Sequence, residues 1–270
     1  MTALMQYLIQ PFGLLIATVV LALLLLPAEK IFPRIEGRAP ASGRVVAILV
    51  LALTSAAASL IYLTYAQLPL IRLALPFQVV NLSRAPLPDW ALALSAFLLL
   101  DFFNWLFHWL SHKIPPLWRL HAIHHADEDV TAISTLLHHP LETFATSLFI
   151  LLCGVLFGLP LLIMLVYAII AVLHAVITHA NLRIPSRLDG WLRLLVVTPD
   201  MHRTHHSVDM REGNSNFGVV LTVWDRLFGT YTAHPARGES GIIMGLPADE
   251  KPDRFTSSDL LLLPFRRKKR

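Results

Sequence analysis

The chain has 270 residues, of which 55% are hydrophobic and only 15% charged, and its mean hydropathy is +0.60. Soluble domains carry about 25% charged residues, so an ordinary water-soluble enzyme is nearly excluded, as are a disordered chain and a disulfide-rich secreted module. The single cysteine, Cys153, lies in an apolar run and excludes an internal disulfide and cysteine-ligated zinc.

A helix crosses a bilayer with about 20 apolar residues. Residues 1–28 carry no charge, nor do 45–71, and 90–112 carry only Asp101. Residues 143–182 contain no Asp, Glu, Lys or Arg, enough for two crossings, with Gly158 and Pro160 marking a tight hairpin near the middle. Five spans are predicted, at about 7–27, 45–66, 90–112, 143–158 and 160–180, the fourth short for a crossing. Residues 73–82, interrupted by Pro76, read as an interfacial or re-entrant piece. The first span lacks a basic leader and a clear cleavage site and reads as a retained anchor.

Lys30, Arg34, Arg38 and Arg44 crowd the 28–44 loop, whereas the 67–89 loop has only Arg72 and Arg84. This bias puts the amino terminus outside, and the 28–44 loop, residues 113–142 and everything after the fifth span in the cytoplasm. Beyond 181 the composition turns mixed and polar, with turn signals at Asp189-Gly190 and Gly213-Asn214. The expected fold class is all-α, a polytopic membrane helical bundle of about 4–5 transmembrane spans with a cytoplasmic histidine-rich cap. The chain ends on five basic residues, Arg266 to Arg270, which suggest a tail near anionic lipid and not a nucleic-acid groove.

Twelve of the 13 histidines lie between 108 and 206. His108 and His112 are four apart on the third span; His121, His124 and His125 repeat the spacing of His202, His205 and His206. On a helix such positions share a face, so each group aims imidazoles at one point, and neutral imidazole is a ligand for iron, zinc, copper and nickel. Eight histidines exceed the four ligands of a tetrahedral ion, so two metals sharing eight to ten imidazoles are expected. His138 and His139 are further candidates. His179 is a better candidate than His174, which reads as a buried, hydrogen-bonded histidine, and His234 reads as a plain loop residue. Asp101, Asn104, His108 and His112 form one polar stripe on an apolar helix, so Asp101 is expected to orient an imidazole or to bond a neighbouring helix. Thr198, Pro199 and Asp200 look like the start of a helix carrying the last cluster, and Pro115 and Pro116 the start of the helix bearing His121. Trp224, Asp225, Arg226 and Phe228 would dock the cap onto the membrane core, with substrate entry the alternative role for Trp224 or Phe228, and Asn214 and Asn216 would face metal-bound water or shape a turn.

These motifs, HWLSH (108–112), LWRLHAIHH (117–125), HPLE (139–142), HANL (179–182), TPDMHRTHH (198–206) and NFGVVLTVWDRLFGT (216–230), resemble the fatty acid hydroxylase/sterol desaturase superfamily in order and approximate gaps. The resemblance covers about 97–232. It implies a catalytic domain at 89–232, between an N-terminal transmembrane region (1–88) and a cytoplasmic basic tail (233–270). It implies an oxidoreductase that hydroxylates or desaturates a lipid C–H bond, with two iron ions (zinc can replace them during purification), O2 and an external electron donor. Residue by residue, it implies metal-ligand roles for His108, His112, His121, His124, His125, His179, His202, His205 and His206, joined by His139. Asp101, Asn104, His174 and Asn216 would support the ligands from behind. The sequence departs from a frequent family pattern at Leu137, where many members have arginine, and adds His138. The chain shows no cytochrome b5-type, flavin or c-type haem motif, so a separate electron-transfer protein or reductase would be the partner, alongside the membrane lipid. Two other readings fit a histidine-rich membrane protein: a dimetal hydrolase, which needs neither O2 nor reductant, and a metal transporter or sensor.

Overall fold

In a bilayer every backbone polar group must be paired within the chain, so uninterrupted apolar stretches become helices. The computed structural model describes residues 3–36 and 43–266. It places α1 at Ala3–Ile31, α2 at Arg44–Ile61, α3 at Gln67–Ala74, α4 at Asp89–Lys113, α5 at Pro115–His121, α6 at Pro140–Leu156 and α7 at Leu161–His179. Four stretches are long and apolar enough to cross a membrane: Phe12–Ile31, Arg44–Phe77, Asp89–Lys113 and Leu161–His179. The predicted fourth span falls on α6, a shorter apolar helix of 17 residues.

The second span runs on to Phe77 and absorbs the start of the predicted 73–82 piece. Pro69 lacks an N–H and crowds the carbonyl four residues back, and a π turn at Tyr62–Ala66 widens the helix just before it, so the run continues through the proline without ending. The segment after Phe77 packs under the α6–α7 hairpin, with Val79 N donating to Leu156 O (2.9 Å) and Ser83 N to Gly158 O (2.9 Å). Gly158 sits at φ +57, and a Cβ there would meet the Asn81 Cα at 2.7 Å, so only glycine fits this predicted turn.

At the other end of the bundle the helix ends are tied to one another by buried charge. Glu29, near the end of α1, accepts from the backbone N–H of Ala132 (2.9 Å) and Asn181 (2.7 Å). Arg44, the first residue of α2, meets Asp127 at 2.6 Å and also donates to Ser134 and to the Asp129 carbonyl. Arg44 therefore fastens a membrane helix to the 127–134 loop; removing Asp127 would strand a buried charge at a cost of about 3–5 kcal/mol. Arg38 and Arg267 to Arg270, which contribute to the charge reading of the sequence, lie outside the described residues; Arg266 pairs with Asp253 and Asp259.

The remaining helices are short: α8 at Ser186–Leu192, α9 at Pro199–His205, α10 at Met210–Gly213, α11 at Val223–Leu227 and α12 at Ser257–Leu262. The predicted turn at Asp189-Gly190 lies inside α8, because Asp189 is held by Arg193 one turn on. Among the described residues there is no β-strand, only isolated bridges between Pro33 and Leu182, Val196 and Leu221, and Ser207 and Met244. A core of Ile48 and Leu51 from α2 with Ile123, Leu137, Leu246 and Leu260 is fully buried at the histidine end. Each such side chain contributes about 1.5–3 kcal/mol on leaving water, whereas the outward residues of the spans, such as Ile16, Leu24, Val46 and Leu53, are left for the acyl chains of a bilayer to cover.

Candidate metal centre

Local rules place each histidine. His108 and His112 occupy the last two turns of α4. An extended Ile114 followed by Pro115 and Pro116 restarts the chain as α5, which ends at His121, and a 3-10 turn at His124–Ala126 carries the next two imidazoles. His179 is the last residue of α7. The Thr198 side chain caps α9 by accepting from Met201 N, with Pro199 first in the helix, as its sequence predicts, and α9 carries His202 and His205 with His206 at its end.

The structure gathers these side chains into two groups, each with its nitrogens within 4.8 Å of one another. One comprises His108, His112, His121, His125 and His205, and the other His124, His179, His202 and His206. The two H-x-x-H-H segments interlock. His121 and His125 enter the first group and His124 the second; His202 and His206 enter the second and His205 the first. Residues four apart come onto one point, as a helical turn requires, but the third residue of each segment crosses to the other group, so the expectation that each cluster aims at a single point holds only for its i, i+4 pair.

The outer ring nitrogens fix the tautomers. Each of six Nδ1 atoms faces an acceptor that has no proton to give: His108 the Phe217 carbonyl (2.9 Å), His112 Asn214 Oδ1 (3.2 Å), His121 Glu142 Oε1 (2.7 Å), His124 the Leu137 carbonyl (3.3 Å), His179 the Ala175 carbonyl (2.7 Å) and His205 the Ser215 carbonyl (2.8 Å). Each of these Nδ1 atoms therefore donates, and each Nε2 keeps a bare lone pair. Yet His108 Nε2 lies 3.1 Å from His121 Nε2, and His124 Nε2 lies 3.0 Å from His179 Nε2. Two lone pairs at that distance repel unless a cation sits between them. Two nitrogens bound to one ion at about 2.0–2.1 Å are themselves roughly 3.0–3.4 Å apart, so both contacts fit an ion's coordination edge. The buried Nε2 atoms of His112 and His205 have no hydrogen-bond partner, which fits the same role.

Seven of the nine rings are buried, and His108 and His112 are partly exposed. Burial, reinforced by neighbouring imidazoles, holds His124, His125, His202 and His206 well below the usual histidine range and takes His205 down to about 3. These rings are neutral at pH 7 and available as ligands.

Other expected site residues lie elsewhere. His139 is not drawn into either group; its Nδ1 accepts from Leu141 N and caps α6. Asp101 takes no imidazole proton. It accepts instead from Tyr167 Oη (2.9 Å), Trp224 Nε1 (2.9 Å) and the N–H groups of Val220 and Leu221, which makes it the packing residue of the two expected roles. Asn104 donates to the Leu100 carbonyl of its own helix, and His174 Nδ1 to the Val219 carbonyl. Asn216, at φ +54, clasps Met201 O and both backbone groups of the Thr230–Thr232 segment, so its role is the turn. His234 pairs with Glu239 at the surface. A cavity of about 210 Å³ lined by Arg44, Glu128, Asn181 and Met244 contains none of the nine histidines.

Sequence reasoning missed Glu142. Its carboxylate bridges His121 Nδ1 and His138 Nδ1 (3.2 Å), and the His138 ring stacks on His124 at 4.4 Å. The signal is a lone carboxylate at the threshold of a 40-residue uncharged stretch, one turn after a His-Pro pair.

The fatty acid hydroxylase family matches residues 93–230, a stretch that contains both histidine groups. The chain is 33% identical to the ornithine lipid hydroxylase of Rhizobium tropici over 163 residues, 57% of this chain and 47% of that protein. It is 30% identical to the alkylglycerol monooxygenase of Homo sapiens over 139 residues, 52% of this chain and 30% of that one. It is 31% identical to the human cholesterol 25-hydroxylase over 137 residues, 48% of this chain and 47% of that one. The chain thus spans about half or less of the length of these relatives, and no solved structure matches it.

Proposed function

The chain belongs to the fatty acid hydroxylase family, and from that premise we propose that it is an integral-membrane oxidoreductase that hydroxylates or desaturates a C–H bond of a membrane lipid. His108, His112, His121, His125 and His205 would hold one ion, and His124, His179, His202 and His206 the other. Two irons there, fed by a separate electron-transfer protein, would supply the O2 chemistry. The observation that carries this reading is the pair of lone-pair-to-lone-pair contacts, one in each group, at 3.1 and 3.0 Å.

The chain's own residues bind, orient and exclude water. Glu142, Asn214 and the carbonyls of Leu137, Ala175, Ser215 and Phe217 fix ring orientation and raise the basicity of the inward nitrogens. The lipid chain would, in this reading, reach the five-histidine group, a choice supported by the partial exposure of His108 and His112. In this reading the histidine end faces the cytoplasm, where an electron donor docks. The matched relatives act, by name, on an ornithine lipid, an alkylglycerol and cholesterol. These share an apolar body but no headgroup, so the proposed substrate class is a lipid C–H bond.

The test pairs O2 consumption by the purified protein, with and without reductant, with mass spectrometry of the lipids. The reading expects reductant-dependent uptake and a lipid heavier by one oxygen or lighter by two hydrogens. Lipid cleavage without O2 would contradict it and favour a hydrolase.

A further inference from the structure

The sequence places everything beyond 181 in a water-facing cap, but the hydrogen bonds put part of that region alongside the membrane helices. Asp101 is the central residue of the 25-residue α4. It lies 12 residues, about 18 Å, from the histidine end of that helix. Tyr167, its partner on α7, is equally far from His179. Asp101 receives the N–H groups of Val220 (3.3 Å) and Leu221 (3.2 Å) and the Trp224 indole (2.9 Å). Leu195 is joined to the same level, since Thr222 N donates to Leu195 O (3.1 Å) and Val197 N to Val220 O (2.9 Å). With a hydrocarbon core of roughly 30 Å centred on α4, Leu195 and the 220–222 backbone lie within the acyl region of one leaflet.

The surface at that depth is turned inside out. Most exposed side chains on these segments are apolar: Trp191 is 73% exposed, Leu195 72% and Leu227 67%, with Leu188, Leu194 and Phe228 beside them, while Ser186, Arg187 and Arg226 are the polar exceptions. Asp189 and Arg193 are buried against each other, and the exposed Arg226 folds its guanidinium back, 4.0 Å over the Tyr231 ring and donating to the Arg193 carbonyl (2.8 Å). A water-facing helix shows the reverse pattern. Irregular backbone at membrane depth requires its polar groups to be satisfied inside the protein, and two buried aspartates do that here. Asp101 takes two N–H groups, and Asp225 takes those of Phe217 (2.9 Å) and Gly218 (2.7 Å) as well as the Trp105 indole (3.0 Å). The face is continuous with a membrane helix, because the Phe228 ring stacks on Trp105 of α4 at 4.6 Å.

We infer that residues 186–195 and 220–228 form a re-entrant shelf whose Leu188, Trp191, Leu194, Leu195, Leu227 and Phe228 face is embedded in the acyl chains of one leaflet. Arg183, exposed just before the shelf, and Arg187, exposed in its first turn, lie toward the headgroups. The occupant of this face is the bilayer. The inference rests on the helices spanning the membrane and not on the reaction.

The test uses the full chain with Cys153→Ser, reconstituted in phosphatidylcholine vesicles. Nitroxide labels are placed singly at Leu195→Cys and Leu227→Cys, with Leu24→Cys on α1 as the lipid reference and Arg237→Cys as the water reference. Replacing exposed side chains leaves the core intact. The expected result is an oxygen-to-nickel-chelate collision ratio at Leu195 and Leu227 that matches Leu24 and exceeds Arg237 several-fold. A ratio matching Arg237 would overturn the inference, as would spin–spin broadening at Leu195 or Leu227, which would place a second copy of the chain on this face.

Discussion

In the five-histidine group, four rings hand their outer nitrogen to a fixed acceptor: Phe217 O, Asn214, Glu142 and Ser215 O. In the four-histidine group, only His124 and His179 do so, and the Nδ1 atoms of His202 and His206 are buried without a hydrogen-bond partner. The first group also draws two members from the rigid end of α4, whereas the second depends on the short α9 for half of its rings. Ring orientation in the first group is set by the surrounding fold. In the second it depends more on the ion itself, so the four-histidine group is expected to hold its metal more weakly.

The largest effects test the groups as units. His125→Ala removes a ligand from the first group and His206→Ala one from the second, and each should cut reductant-dependent turnover by at least about 100-fold. The two variants should differ in metal content, with His206→Ala losing its ion more completely on dialysis. Equal loss in both would break the comparison. Next in size, Glu142→Ala should weaken metal at the five-histidine group by about 10–100-fold while sparing the other, measured by chelator competition. Glu142→Gln keeps a carbonyl for His121 Nδ1 and should recover much of the affinity, an outcome that loss of packing alone would not give.

Acid should act more gradually. His124, His125, His202, His205 and His206 have folded-state pKa values depressed by burial, below the unfolded value of about 6.5. The unfolded chain then binds protons first, so the metal-free protein keeps full stability above about pH 6.5 and loses it progressively below. Thermal melts of the apo protein across pH 5–8 check the sign. The smallest effect belongs to His139→Ala, which should cost about 1 kcal/mol as a lost helix cap and leave the metal count unchanged. A fall in metal content there would reinstate His139 as a ligand.

Much of this was legible in the sequence, and for local reasons. Charge-free runs become helices because the bilayer leaves no alternative, and His108/His112 or His202/His206 converge because one helical turn returns to the same face. Thr198-Pro199 and Pro115-Pro116 mark helix starts through rules confined to a few residues. What could not be read was non-local. His205 crossing to the group of His121 depends on how α9 meets α5, and Asp101 serving the N–H groups of Val220 and Leu221 depends on a loop more than a hundred residues away. His139 looked like a ligand because proximity in sequence to His138 and Glu142 does not say which ring turns inward. Glu142 was hidden for the same reason: its two imidazole partners come from different segments.

The central claim is that nine histidines form two metal sites interlocked through His124 and His205. Its most direct test is the metal-to-protein ratio of detergent-purified protein loaded with ferrous iron under reducing conditions. The account predicts two ions per chain in the wild type. A wild-type ratio near one would contradict it.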